Sequence, residues 1–174
     1  MKKTLSKIFL TLFSLSFLLW LGISTYRTLL SDHLLQFGTA EFKTAIDPDF
    51  ERQVYHDIAK YSVVIFIVYP IAILTGIGYL ITTEKKFKNN GWLLMCTILF
   101  FIFVPVEAYC AVLDWKIVGL NYWGEWPIEE FRKAFLKRIT VLSGAPFLAA
   151  LSYYTIVILA IWQPMKRKDI VENN

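Results

Sequence analysis

The sequence predicts an all-α, polytopic membrane protein: four transmembrane helices in a bundle, with short helices in two extracytoplasmic segments. Three observations lead there. Hydrophobic residues make up 56% of the 174 residues and mean hydropathy is +0.50, more apolar surface than a soluble core of this size absorbs. These residues gather in four blocks of 19 to 25 positions instead of alternating at helix or strand period. Each block is long enough to cross a hydrocarbon layer about 30 Å thick. Lysine and arginine, finally, are dense in every second connecting segment and sparse in the others.

The expected plan is one membrane domain over 1–174, with spans near 8–26, 61–83, 91–113 and 139–163. Segments 1–7, 84–90 and 164–174 hold three Lys or Arg each, half of the 18 in the chain, within short lengths. They belong in the cytoplasm by the positive-inside rule, so segments 27–60 and 114–138 lie outside the cytoplasmic membrane and both termini lie inside. The net charge of +4 is accounted for by these flanks, which argues against a nucleic-acid partner.

The first span, 8–26, follows Lys2, Lys3 and Lys7 and carries no charge. Gly22 and Ser24 offer a small-x-small pair of the signal-peptidase kind. Its length, Trp20, and the apolar patch at Leu29, Leu30, Leu34 and Leu35 favour a retained anchor over a cleaved signal.

Segment 28–60 contains Asp47-Pro48-Asp49, a helix start with Pro in the first turn and acids at the positive end of the dipole. The helix from Phe50 should run directly into the second span. His33 and His56, beside Asp32 and Asp57, are weak candidates for a metal or a haem. Their spacing carries no ligand motif, so no metal and no cofactor is assigned.

The second span has an interior Pro70, expected to kink it, and Ala72 and Gly76 four apart as a packing face. The third, 91–113, contains Glu107, the one carboxylate inside any of the four runs. It lies roughly 22 Å along the helix from Trp92, hence in the outer part of the bilayer. Its expected role is a structural ion pair with Lys60, Lys137 or Arg138, and its alternative role is an ion or ligand contact. Pro105 is a second interior proline. Cys96 and Cys110, roughly 21 Å apart on one helix, cannot bridge each other.

Segment 114–138 is rich in aromatics. Trp115, Trp123 and Trp126, with Trp92 and Trp162 at other span ends, read as an interfacial belt. After Pro127, Ile128, Phe131, Phe135 and Leu136 fall on one side of an amphipathic helix, with Glu129, Glu130, Arg132 and Lys133 largely opposite. The fourth span holds a third interior proline, Pro146, and the packing pair Ala145 and Ala149.

No nucleophile elbow, phosphate loop or dinucleotide fingerprint occurs, and no catalytic residue is assigned. The expected function is a non-enzymatic accessory or scaffold subunit that binds other membrane proteins, itself or membrane lipids. The alternatives are an oligomeric ion- or solute-transport subunit using Glu107, and a lipid-binding or lipid-modifying protein.

Overall fold

A computed structural model describes residues 2–36, 39–124, 127–140 and 144–166, and every extended element in it is helical. The helices are α1 (Lys2–Ser31), α2 (Pro48–Thr82), α3 (Gly91–Ile102), α4 (Val104–Trp123), α5 (Ile128–Thr140) and α6 (Ala145–Trp162), with a 3-10 turn at Phe87–Asn89. Four helical stretches are long and apolar enough to cross a membrane: α1, α2, α3 with α4, and α6.

The helices outrun the apolar blocks at one end. α2 starts at Pro48, where the Asp47 side chain accepts the Asp49 backbone N–H at 3.3 Å and Asp49 and Glu51 occupy the first turn. From there it runs 35 residues, through Pro70, without interruption. α1 continues past Arg27, and α4 past Asp114, so in both cases the first charge after the apolar run lies within a helix.

The other two span prolines sit differently from the sequence expectation. Pro105 occupies the first turn of α4, just after a break at Phe103, so the third span is two helices in series. Pro146 likewise stands in the first turn of α6, where its missing N–H costs nothing. Gly144 precedes it with φ of +91°, a conformation that L side chains rarely adopt, and this turn separates α6 from whatever comes before.

Two apolar cores result. In the first, α1, α2, α3 and α6 meet around aromatic rings: Trp20 lies 4.7 Å from Tyr69 and 4.9 Å from Tyr153 between centroids, and Phe17 and Phe100 close the cluster. The Tyr69 and Tyr153 hydroxyls share a hydrogen bond of 3.2 Å. Ala72 and Ala149 are fully buried here. Gly76 faces α1, with the Phe13 ring 3.1 Å from where a Cβ would stand.

The second core joins the first turns of α2, the last turns of α4, and α5. Tyr55 stacks on Phe131 at 5.1 Å and meets Phe135 edge-on at 5.7 Å, over Ile58, Ile117 and Val118. Burying two such phenylalanines contributes roughly 1.5–3 kcal/mol each, enough to dock an amphipathic helix of 13 residues. The chain ends sort accordingly. Lys3 pairs with Glu84 at 3.8 Å, and Asn90 bridges to Lys166, so residues 2–7, 84–90 and 163–166 share one end of the molecule. The second core forms the other.

Candidate functional site

The most concentrated polar feature lies between the two cores. Arg27 of α1 is 5% exposed and donates through Nη1 to Ser62 Oγ on α2 at 2.8 Å and to Asp114 Oδ2 on α4 at 2.5 Å. Arg138 of α5 donates through Nε to the other oxygen of the same carboxylate at 2.9 Å. One buried aspartate therefore holds two guanidinium groups, and four helices are tied at a single point. The Ser62 hydroxyl proton goes to the Ile58 carbonyl at 2.8 Å, which leaves its lone pairs for Arg27.

Local sequence explains the inward placement. Arg27 shares a face with Trp20 and Leu30, seven positions before and three after, both buried. Asp114 belongs to the stripe Cys110, Leu113, Asp114, Ile117, Val118, Asn121 that α4 buries. Glu107, on the same helix, is half-buried and lies within electrostatic reach of Arg138, Arg27 and Asp114, though no ion pair within 4 Å involves it among the described residues. Counting Glu107, the cluster holds two cations and two carboxylates.

A second buried acid anchors the α5 end. Glu51 is fully buried and receives Arg132 Nε on Oε1 at 2.8 Å and Arg132 Nη2 on Oε2 at 2.7 Å, a bidentate pair, with the Tyr55 hydroxyl donating to Oε1 at 3.1 Å. The guanidinium also sits 5.3 Å from the Phe42 ring centroid and bonds Glu129 at 3.3 Å. Hydrogen bonding to Glu51 holds Arg132 above the usual arginine range, so it stays a cation.

At the opposite end lies an apolar cleft of about 410 Å³, bounded by Phe13, Tyr79, Trp92, Phe100, Ile156 and Val157. Trp92 was expected in an interfacial belt. The structure turns it inward, 6% exposed, with Lys85 Nζ 5.1 Å from its ring centroid. Trp115, Trp123 and Trp162 are exposed, Trp115 packing on Phe66 and Trp123, while Trp126 lies outside the described residues.

The remaining sequence candidates are dispersed. Lys60 and Lys137 are exposed, and neither forms an ion pair within 4 Å among the described residues. His33 meets Phe50 edge-on at 6.0 Å, whereas His56 Nδ1 is 3.2 Å from Asn121 Oδ1. Among the described residues no three His, Cys, Asp or Glu side chains converge. Cys96 and Cys110 are both free and buried. Ala145 opens α6, four positions before buried Ala149.

Sequence reasoning missed Arg27, Ser62, Asp114, Glu51 and the cleft. For Glu51 a signal existed: Val54, Tyr55 and Ile58 follow at three, four and seven positions, so the acid lies on the apolar face. Comparison with family models, with curated proteins and with solved structures finds no match.

Proposed function

We propose that this chain is a non-enzymatic accessory or scaffold subunit of the cell membrane that binds other membrane proteins. In this reading α1, α2, α3 with α4, and α6 form a four-helix transmembrane bundle with both termini in the cytoplasm and α5 on the outer face. One observation carries it. The three buried charges among the described residues, Arg27, Glu51 and Asp114, are consumed by internal pairs that join helices to one another, with the partly buried Arg138 and Arg132 as partners. Charges committed in this way stabilise a shape and are not left over for chemistry or for passage of ions.

Large apolar side chains remain on the outside of every span: Ile67 and Leu74 on α2, Ile98 on α3, Phe147 and Ile158 on α6. In a bilayer these faces meet lipid or another membrane protein. Purification of the tagged full chain from its native membranes in mild detergent tests the reading. A membrane protein retained at fixed stoichiometry through size exclusion supports it. Isolation of this chain alone in several detergents removes it.

A second reading, a transport subunit, has one observation in its favour: Glu107 is half-buried and carries no ion pair within 4 Å among the described residues. If it serves transport, Glu107→Gln abolishes ion flux in liposomes while the protein stays folded. Flux that does not depend on Glu107, or no flux at all, excludes this role.

A further inference from the structure

The cleft between α1, α2, α3 and α6 has a feature that simple helix packing does not explain. Its walls are mostly rings and aliphatic chains, from Phe13 and Phe100 to Ile156 and Val157, yet two of its lining residues, Tyr79 and Trp92, carry hydrogen-bond donors that meet no partner among the described residues. The Tyr79 hydroxyl and the Trp92 indole N–H are both buried without a partner among the described residues, on side chains 6% exposed. Each unmet donor in such surroundings is costly, and native proteins satisfy nearly all of them. The two stand at the same end of the cleft, near the end of α2 and the start of α3.

A cation completes the arrangement. Lys85, in the short connection between those helices, lines the cleft and places Nζ over the Trp92 ring, with no carboxylate within 4 Å among the described residues. Around it, segments 2–7, 84–90 and 164–166 contain seven lysines and a single acid, Glu84, which pairs with Lys3. The occupant thus needs an apolar tail, acceptor oxygens and negative charge at one end. The cleft volume of about 410 Å³ falls within the ordinary range for a small-molecule site.

We propose that the cleft holds one acyl chain of an anionic glycerophospholipid, lying along Phe13, Phe100 and Val157, with the lipid's phosphate near Lys85, Tyr79 and Trp92. The inference rests on the membrane-spanning reading and on the lysine-rich end lying at the anionic cytoplasmic leaflet. It does not depend on whether the chain is a scaffold, so the two fail separately.

Quenching of tryptophan fluorescence by brominated lipids tests it in reconstituted full-length protein. Subtracting the Trp92→Phe signal from the wild type isolates Trp92, and subtracting Trp162→Phe isolates a control residue that is 81% exposed at the same end. Brominated phosphatidylglycerol should half-saturate the Trp92 signal at a mole fraction at least about five-fold lower than brominated phosphatidylcholine, with no such difference at Trp162. Lys85→Gln should erase the preference. Equal quenching by both lipids, an equal preference at Trp162, or a preference surviving Lys85→Gln each overturns the proposal.

Native mass spectrometry gives a second readout that keeps Trp92 intact. One phosphatidylglycerol should remain on the wild type and be lost from Lys85→Gln and from Ala160→Phe, which fills a wall of the cleft. Retention of a neutral isoprenoid quinone in its place, or a second copy of the chain with no lipid, contradicts the assignment.

Discussion

Asp114 accepts Arg27 on one carboxylate oxygen at 2.5 Å and Arg138 on the other at 2.9 Å, although the two arginines stand on α1 and α5, helices far apart in sequence. The aspartate is 2% exposed and is the only acid in direct contact with either arginine among the described residues. Its removal strands two buried cations, whereas removal of Arg27 leaves the carboxylate with Arg138. Asp114→Ala should therefore cost about 3–5 kcal/mol of unfolding free energy, and Arg27→Met distinctly less. Equilibrium unfolding in mixed micelles gives the order, and an Arg27→Met loss as large as that of Asp114→Ala refutes the shared-carboxylate account.

The Glu51–Arg132 pair fixes α5 to the start of α2. Arg132→Met leaves a fully buried carboxylate with the Tyr55 hydroxyl as its one remaining side-chain partner among the described residues, and should cost about 3 kcal/mol and raise hydrogen exchange across α5. Arg132 is raised in the folded state, so its contribution is complete below the ordinary arginine range and is lost only as pH rises through the still higher folded-state value. Exchange protection of α5, corrected for intrinsic rates, should thus show no loss traceable to Arg132 between pH 7 and pH 10.

The four helices long and apolar enough to cross a membrane were legible in the sequence because apolar runs of that length have few other uses. What was not legible is which charges lie inside. Arg27 and Asp114 end apolar runs, and a charge at the end of a run reads as a boundary; only the partner, 87 positions away in sequence, reveals that the helix continues and the charge is buried. The inward turn of Trp92 was not legible for a similar reason, since an aromatic at the end of an apolar run gives no sign of which way its ring faces until the other residues lining the cleft on α2 and α6 are known. Pro146 looked interior because residues 139–163 are free of charge, but Gly144 separates the end of that stretch into its own helix.

The Tyr69–Tyr153 hydrogen bond sits inside the aromatic core, away from either polar end. Tyr153→Phe leaves the Tyr69 hydroxyl without this partner and should cost about 1–2 kcal/mol. The double change to Phe should cost less than either single change, because no donor is then left unmet. Additive losses in a double-mutant cycle would show that the two hydroxyls do not act as a pair.

Orientation is open to direct labelling. With Cys96 and Cys110 replaced by Ala, a membrane-impermeant maleimide on intact cells should modify Glu130→Cys, on exposed α5, and leave Lys86→Cys untouched until the membrane is opened. The reverse pattern inverts the topology and with it the leaflet assigned to the cleft.

The scaffold reading is tested most directly by photocrosslinking in living cells from the exposed positions Leu74, Phe147 and Ile158, each carrying a diazirine side chain in turn. At least one of the three faces should yield a single, reproducible membrane-protein adduct in stoichiometric amount, while a site in the buried core, Ala149, yields none. Adducts confined to lipid at all three positions would contradict the reading of this chain as a subunit that binds other membrane proteins.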